Sequence, residues 1–196
     1  MRKLIVTEWM SLDGVVQAPG AADEDTSGEF AHGGWHLRYF EETSQAWVVE
    51  NVVGADGYLL GRRTYETLAS YWPHASEEER ILAEPLNTRP KYVVSATLSE
   101  PLAWKNSTLL QGDAAAAVRG LKAEGSGDLL VMGSTQLVPT LVERGLVDEV
   151  RLMIDPVVLG GGKRIFRDDG VLRALELVAS EVTSTGAILA TYAPAR

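Results

Sequence analysis

One stretch of the chain combines residue types and a spacing that suit an anion. A short apolar run at residues 58–60 ends at a glycine, and polar residues then open a helix predicted over residues 62–70. The residues at this crossing are Gly61, Arg62, Arg63 and Thr64. The free N–H groups and the dipole of a helix start attract anions, and guanidinium and hydroxyl groups add donors for phosphate. This pattern predicts a phosphate site, and the alternative is an ordinary strand-to-helix turn with solvated arginines.

A second crossing of the same kind lies further along the chain. A strand predicted over residues 128–132 ends at Gly133, and Ser134 is placed as the cap of a helix predicted over residues 134–144. In an open α/β sheet, ligands bind at the carboxyl ends of the strands. Two strand–glycine–helix crossings on one sheet therefore suggest a nucleotide bound across that edge.

Several other chemistries lack their sequence patterns. Neither crossing contains the G-x-G-x-x-G fingerprint, and the G-x-S-x-G elbow of serine hydrolases is absent. The run Gly160-Gly161-Gly162-Lys163 lacks the first glycine and the final hydroxyl residue of a nucleotide-triphosphatase loop. The three histidines show no ligand spacing and there are no cysteines, so we predict no metal site.

Composition favours one class of protein. With 196 residues, 45% of them hydrophobic and 23% charged, the chain suits a single soluble globular domain over residues 1–196. The longest apolar runs are too short for a transmembrane helix or a secretory signal, and we expect a cytoplasmic protein. A formal net charge of −9 argues against a nucleic-acid surface but leaves room for one anionic ligand beside a local basic cluster.

The elements that must position the two crossings follow from hydrophobic periodicity and turn residues. Strands are predicted over residues 3–10, 58–60, 91–95, 107–110, 128–132, 147–155, 175–181 and 187–192. Helices are predicted over residues 35–53, 62–70, 114–124 and 134–144. Residues 72–90 are interpreted as a connection with a possible helical turn at residues 77–83, and the irregular residues 17–34 as a lid or a disordered surface loop. The resulting class is α/β: a mostly parallel sheet of about eight strands, with helices on both faces and a C-terminal antiparallel hairpin.

A set of short sequence pieces also occurs in a recognisable order. The pieces are Ser11-Leu12-Asp13-Gly14, residues 61–66, residues 90–95, residues 131–134, residues 147–149, residues 156–163 and Phe166. In this order they resemble the dihydrofolate reductase superfamily, and most of all its bacterial branch related to the reductase domain of riboflavin biosynthesis. The resemblance extends from about Lys3 to Tyr192.

This resemblance implies a mixed eight-stranded sheet that binds NADPH. Carried over to this sequence, one set of residues would hold the cofactor's phosphates, a second would meet the adenosine 2′-phosphate, and a third would wrap the pyrophosphate and the nicotinamide side. In that order the sets are Gly61, Arg62, Arg63 and Thr64; Ser95, Ala96 and Thr97; and Gly133, Ser134, Thr135, Gln136 and Leu137. Residues 16–20 would form a mobile loop near the nicotinamide.

The expected proton donor departs from the family pattern. Dihydrofolate reductases carry an acidic residue near the start of the first long helix, and here His36 would occupy that position. Our candidate catalytic residues are therefore His36, Glu8 and Asp13. The alternatives are that His36 is an exposed residue at the helix start, that Glu8 points to solvent, and that Asp13 only shapes its turn.

Aromatic residues near the expected cleft suit a flat substrate. Trp9, Trp35 and Tyr39, and also Trp72, have rings that can stack on a heterocycle, while core packing is the alternative for each. The leading hypothesis is an NADPH-dependent reductase that transfers hydride to a small pterin-like, pyrimidine-like or other conjugated substrate. The second hypothesis is a non-catalytic protein that binds a nucleotide or small molecule on the same fold. A homodimer formed through the C-terminal hairpin or an edge strand is also expected.

Overall fold

A computed structural model describes residues 2–195, which form eight β-strands and five α-helices. The strands are β1 (Leu4–Ser11), β2 (Gly57–Gly61), β3 (Lys91–Val94), β4 (Ser107–Leu110), β5 (Leu129–Met132), β6 (Glu149–Asp155), β7 (Leu175–Val182) and β8 (Ile188–Pro194). The helices are α1 (Glu42–Gly54), α2 (Arg62–Tyr71), α3 (Arg80–Thr88), α4 (Ala114–Glu124) and α5 (Leu137–Glu143). Short 3₁₀ turns occur at residues 27–29, 37–39, 72–74 and 77–79.

All eight strands belong to one sheet, in the order β4-β3-β2-β5-β1-β6-β8-β7. Strands β1 to β6 pair in parallel with their neighbours, whereas β8 runs antiparallel to both β6 and β7. The predicted mixed sheet with a C-terminal antiparallel hairpin is confirmed.

Helices cover both faces of the central strands. Successive side chains of a strand point to opposite faces. Accordingly, Leu4 and Val6 pack in a core cluster with residues of α4 and α5, while Ile5 packs in a second cluster with residues of α1, α2 and α3. Because both faces of β1 are buried near its start, its sequence is apolar on both sides, as expected for a central strand of a parallel sheet.

The sheet opens at its carboxyl edge between β1 and β5. The last residue pair between these strands is Thr7 with Met132, whereas β1 continues beside β6 as far as the pair Ser11 and Asp155. The edge of β1 that faces β5 therefore has no strand partner beyond Thr7. This divergence leaves a gap at the edge where the two glycine crossings also end.

The predicted start of the first helix is wrong. Helix α1 begins at Glu42, seven residues after Trp35, because Gly34 takes a left-handed φ of +77° and a 3₁₀ turn occupies Leu37–Tyr39. The backbone at Phe40 is extended, and the Glu41 carboxylate then accepts the Ser44 N–H at 3.3 Å as a helix cap.

Residues 72–90 contain more helix than predicted. They form two 3₁₀ turns and α3, where the sequence was interpreted as a connection. The three prolines in this stretch favoured a loop, although Pro85 lies inside α3. The signal for a helix start was the capping box of Ser76 and Glu79, whose side chains each bond to the other's backbone N–H.

The helix after β5 also begins later than predicted. Gly133 and Ser134 both have φ of +58°, which a right-handed helix does not accommodate, so α5 starts at Leu137. The backbone N–H groups of Leu137 and Val138 both donate to the Ser134 carbonyl, and this bond links the tight turn to the helix. Within residues 2–195 no helix is long and apolar enough to cross a membrane.

Candidate active site

A cleft of about 1060 Å³ lies at the carboxyl ends of the parallel strands. It is lined by the ends of β1, β2, β3 and β5, by parts of the helices, and by residues 16–19 and 23–27. All residues that the sequence predicted for the cofactor line this cleft: Gly61, Arg62, Arg63, Thr64, Ser95, Ala96, Thr97, Gly133, Ser134, Thr135, Gln136 and Leu137. The structure therefore brings together segments that are up to about 75 residues apart in the chain.

The two glycine crossings are bonded directly to each other. The Gly61 N–H donates to Ser134 Oγ at 2.9 Å, and the Ser134 N–H donates to Thr64 Oγ1 at 2.9 Å. The Ser134 hydroxyl also lies 3.2 Å from Thr64 Oγ1. Because β2 and β5 are neighbours, these bonds join the two crossings into one continuous wall of the cleft.

Glycine is needed on this wall for space as well as for backbone conformation. A Cβ at Gly133 would lie 3.3 Å from both Thr64 Oγ1 and Thr64 Cγ2, at a φ of +58°. A Cβ at Gly61 would lie 3.5 Å from Ser134 Oγ, which is an ordinary van der Waals contact, so the requirement for glycine rests on Gly133. In the described structure no side chain caps the start of α2, so its first N–H groups face the cleft edge as donors for a ligand.

Acidic side chains accompany both arginines of α2. Arg62 pairs with Glu66 at 2.8 Å, and Arg63 lies 4.0 Å from Asp25. Both arginine side chains are 39% or more exposed, so these surface pairs are weak and can yield to a phosphate. At the end of β3, Ser95 Oγ accepts the N–H groups of Thr97 and Leu98, and it also lies 3.4 Å from Thr97 Oγ1.

Glu8 is a buried acid on the cleft wall. Only 4% of the residue is exposed, and its Oε1 atom has no hydrogen-bond partner among the described residues. Burial, with a smaller contribution from the negative charge of Glu24, raises the pKa of the Glu8 carboxyl well above its usual value. The alternative in which Glu8 points to solvent is wrong, because the side chain lies inside the protein.

His36 is also buried, behind the cleft wall. Its Nδ1 lies 2.7 Å from Asp155 Oδ2, and its ring stacks on Trp9 with 4.4 Å between the ring centroids. Only 1% of His36 is exposed and it does not line the cleft, so its interpretation as an exposed helix-start residue is wrong. Burial raises the pKa of the Asp155 carboxyl, and the bond from His36 offsets part of that rise. Since α1 begins at Glu42, His36 lies six residues before the first long helix rather than at its start.

Asp13 holds a turn outside the cleft. Its carboxylate accepts the Ser11 hydroxyl at 2.6 Å and the N–H groups of Leu159 and Gly160. The bond from Ser11 contributes most to lowering the pKa of Asp13 to about 2. An acid of that strength carries no proton at neutral pH, and its contacts are those of a residue that shapes its turn.

The predicted aromatic residues separate into two groups. Trp9 and Trp72 line the cleft. Trp35 and Tyr39 do not: the Trp35 Nε1–H donates to the Gln17 carbonyl at 2.8 Å, and the Tyr39 carbonyl accepts the Thr185 hydroxyl at 2.9 Å. Trp35 thus supports the segment after β1, and Tyr39 contacts the turn between β7 and β8.

The irregular segment after β1 is ordered by polar contacts. The Gln17 side chain is buried, donates to the carbonyls of Asp25 and Ser27, and accepts the Lys163 N–H at 3.1 Å. The Lys163 ammonium pairs with the Asp25 carboxylate and with Ser27 Oγ. These contacts fix residues 16–27 beside the cleft, and the alternative of a disordered surface loop is wrong.

Sequence reasoning missed one end of the cleft. Val48, Asn51 and Val52 of α1 line it, together with apolar side chains of α2 and α3: Leu68, Leu82 and Leu86. The spacing of residues 48, 51 and 52 marks one face of a helix. The sequence alone does not distinguish a helix face that packs in the core from one that borders a cleft.

Two solved structures share this architecture. The structure of dihydrofolate reductase from Enterococcus faecalis complexed with NADP(H) superposes with a TM-score of 0.63 at 14% identity, covering 99% of this chain and 97% of that one. A putative riboflavin biosynthesis protein from Shewanella sp. PV-4 superposes with a TM-score of 0.69 at 22% identity, covering 99% of both chains. The fold is therefore that of the dihydrofolate reductase-like class.

The family follows from the sequence comparison. The model of the RibD C-terminal domain matches residues 2–189, and the chain belongs to this family of dihydrofolate reductase-like oxidoreductases. A Bacillus subtilis (strain 168) protein described as "Uncharacterized protein YyaP" is 32% identical over 142 residues, which cover 70% of this chain and 73% of that protein.

Proposed function

We propose that the chain is an NADPH-dependent reductase of a small conjugated heterocycle that carries no phosphate. The observation that carries this proposal is the bonded wall of Gly61, Thr64 and Ser134, which joins two anion-binding crossings along one cleft. Helix starts attract phosphate groups, and in open α/β sheets a dinucleotide binds across the carboxyl ends of the strands, where this wall lies.

The donors along the cleft fit the cofactor. Gly61 to Thr64 and Ser134 to Gln136 would hold the diphosphate, and Ser95 with Thr97 would meet the 2′-phosphate. The unpaired edge of β1 beyond Thr7 offers backbone groups to the amide of the nicotinamide. NADPH, when bound, supplies the hydride, and the cleft positions the acceptor against it and excludes water.

The charges along the cleft limit the substrate. Arg62 and Arg63 are the basic residues among the described lining, and both lie at the crossing assigned to the diphosphate. The acids of the lining outnumber them: Glu8, Asp23, Glu24, Asp25 and Glu66. The far end, at α1 and α3, is apolar apart from Asn51, so a substrate phosphate would find no cation there. We therefore assign this end to an uncharged or cationic flat ring that packs against Trp9 or Trp72.

Glu8 is the proposed proton donor. Hydride addition to a conjugated C=N or C=C bond leaves a negative charge on the neighbouring heteroatom, which must receive a proton. Burial raises the pKa of the Glu8 carboxyl well above its usual value, and its Oε1 has no hydrogen-bond partner among the described residues. His36 and Asp155 would act indirectly, by supporting the Trp9 ring from behind.

The proposal is tested by calorimetric titration with NADPH and NADH, followed by NADPH oxidation assays on paired substrates. Each pair contains a pterin, pyrimidine or other conjugated ring with and without a phosphate group. We expect NADPH to bind and turnover to be confined to the members without phosphate. Absence of binding at millimolar NADPH would contradict the cofactor assignment, and preferred turnover of the phosphorylated members would contradict the substrate class.

A non-catalytic binding protein is the second candidate. The observation that favours it is the cleft face of α1, where Val48, Asn51 and Val52 offer no acid to a substrate. Steady oxidation of NADPH by any substrate of the panel would exclude this candidate.

A further inference from the structure

Two polar side chains border the apolar end of the cleft. Asn51 projects from α1, and Thr7 lies on β1, and both line the cleft. The side chains around them come from α1, α3 and β5 and are apolar, among them Val52, Leu86 and Met132. A few convergent polar groups in an otherwise apolar pocket are typical of sites that fix the orientation of a small ligand.

The orientation of the Asn51 amide is set by two partners. Its Oδ1 accepts an N–H of the Arg151 guanidinium at 2.7 Å, and its Nδ2 donates to the Trp47 carbonyl at 2.8 Å. A guanidinium cannot accept and a carbonyl cannot donate, so turning the amide over would break both bonds. Nδ2 carries a second N–H, and the described residues offer it no acceptor. Asn51 therefore presents a fixed hydrogen-bond donor at the cleft.

Arg151 is itself held in place on β6. Its Nε and Nη2 atoms donate to Glu149 Oε2 at 3.2 and 2.7 Å, and its Nη1 atom reaches Asn51. The Glu149 carboxylate also compensates the guanidinium charge. Arg151 pairs with Thr7 in the register between β6 and β1. Because directly paired residues of neighbouring strands point to the same face, Thr7 lies on the face of the sheet that α1 covers.

The Thr7 hydroxyl is the second polar group. Its oxygen is buried and has no hydrogen-bond partner among the described residues. Native structures rarely leave a buried hydroxyl unsatisfied. Since Thr7 lines the cleft at the last residue pair of β1 with β5, a ligand can supply the missing partner. A hydroxyl both donates and accepts, so Thr7 accommodates either kind of group, whereas Asn51 requires an acceptor.

One kind of ring edge matches both groups. A lactam edge, in which a ring C=O is next to a ring N–H, offers its oxygen to the Asn51 Nδ2–H and its N–H to Thr7 Oγ1. An amino group in place of the carbonyl would set a donor against the Asn51 donor. We infer that Asn51 and Thr7 select rings with a lactam edge over their amino analogues, with Arg151 as the positioning residue. This inference rests on the proposed function, whose substrate class it narrows.

Calorimetric titration of the whole chain, alone and with NADPH present, tests the inference. Two pairs of uncharged rings that differ at this edge are compared at neutral pH: pterin with 2,4-diaminopteridine, and pyrimidin-4-one with 4-aminopyrimidine. We expect the lactam member of each pair to bind about tenfold more tightly or better, which is the worth of one hydrogen bond.

Variants separate the roles of the three residues, and circular dichroism checks their fold. Asn51→Asp still accepts from Arg151 but replaces the donor by an acceptor, so it should invert the preference. Arg151→Met frees the Asn51 amide to turn and should bring the two affinities of a pair together. Thr7→Val keeps the shape of the side chain and should weaken both members. Thr67→Val, elsewhere on the cleft lining, should leave the preference unchanged.

The outcomes distinguish this inference from the proposed function. Equal or tighter binding of the amino members by the wild type would overturn the inference, as would a preference that Asn51→Asp leaves unchanged, or no binding of any ring under either condition. Oxidation of NADPH with the amino members preferred would overturn it and leave the reductase function in place. A lactam preference without NADPH binding would support it and contradict the cofactor assignment.

Discussion

Replacing Thr64 by valine removes the central hydrogen-bond acceptor of the cleft wall while preserving the shape of the side chain. Thr64 Oγ1 accepts the Ser134 N–H at 2.9 Å and lies 3.2 Å from the Ser134 hydroxyl. Valine leaves the partly buried Ser134 N–H without a partner, and it also removes a bond that holds Ser134 at its φ of +58°.

The size of the effect follows from these two losses. An unsatisfied buried donor costs about 1–3 kcal/mol. A non-glycine residue in the left-handed region costs roughly 1–2 kcal/mol, and in the variant the bond from Ser134 to Thr64 no longer offsets this strain. We expect Thr64→Val to lower the free energy of unfolding by about 1–3 kcal/mol. If the same energy is needed to restore the wall when the diphosphate binds, the affinity for NADPH falls about tenfold to a hundredfold, because ~1.4 kcal/mol corresponds to a factor of ten.

Urea unfolding measures the stability, and calorimetric titration with NADPH measures the affinity. Thr67→Val is the matched control, because Thr67 lies one turn later on α2 and lines the same cleft, and its hydroxyl makes no hydrogen bond to the described residues. The control should change the affinity by less than twofold. An affinity in Thr64→Val equal to that of the wild type would refute the reasoning, because the wall would then not contribute to binding.

Three further perturbations test other parts of the structure. Glu8→Gln should reduce turnover by about 10²–10⁴-fold. In a pH–rate profile of the wild type, the rate should fall as pH rises through the raised pKa of Glu8. Glu24→Gln removes the negative charge near Glu8 and should move that fall in rate to lower pH. His36→Phe leaves the buried Asp155 carboxyl without its partner and should cost ~3–5 kcal/mol in urea unfolding, with NADPH affinity unchanged; a loss below ~1 kcal/mol would contradict the importance of the pair. Burial lowers the pKa of Lys91 from 10.5 to about 8, so the unfolded chain binds more protons between these values and stability should increase as pH rises across them. Lys91→Met should abolish that increase in urea titrations at several pH values, and an unchanged slope would be the contrary result.

The strands and the two crossings were predictable because their signals are local. Apolar runs that end at Gly61 and Gly133 specify buried strands and tight turns with no information from elsewhere in the chain. The resemblance then placed these pieces in one sheet, and the match to the RibD C-terminal domain confirms the resemblance. The bond between Thr64 and Ser134 follows once β2 and β5 are neighbours.

The parts that failed depend on distant contacts or on competing local signals. The 3₁₀ turn at Leu37–Tyr39 shortens α1, while the periodic apolar residues had suggested a helix from Trp35. His36 meets Asp155 across 119 residues, so its burial was not visible in its own neighbourhood of the sequence. Glu8 lies one residue past the last pair between β1 and β5, and only the divergence of these two strands turns that position into a cleft wall.

The central claim is that the two crossings bind one diphosphate together, and an NMR titration with NADPH tests it most directly. The amide signals of Gly61, Thr64 and Ser134 should all shift, and they should reach saturation along a single binding curve. Signal shifts at one crossing alone would contradict the claim, as would NADPH binding that shifts none of the three amide signals.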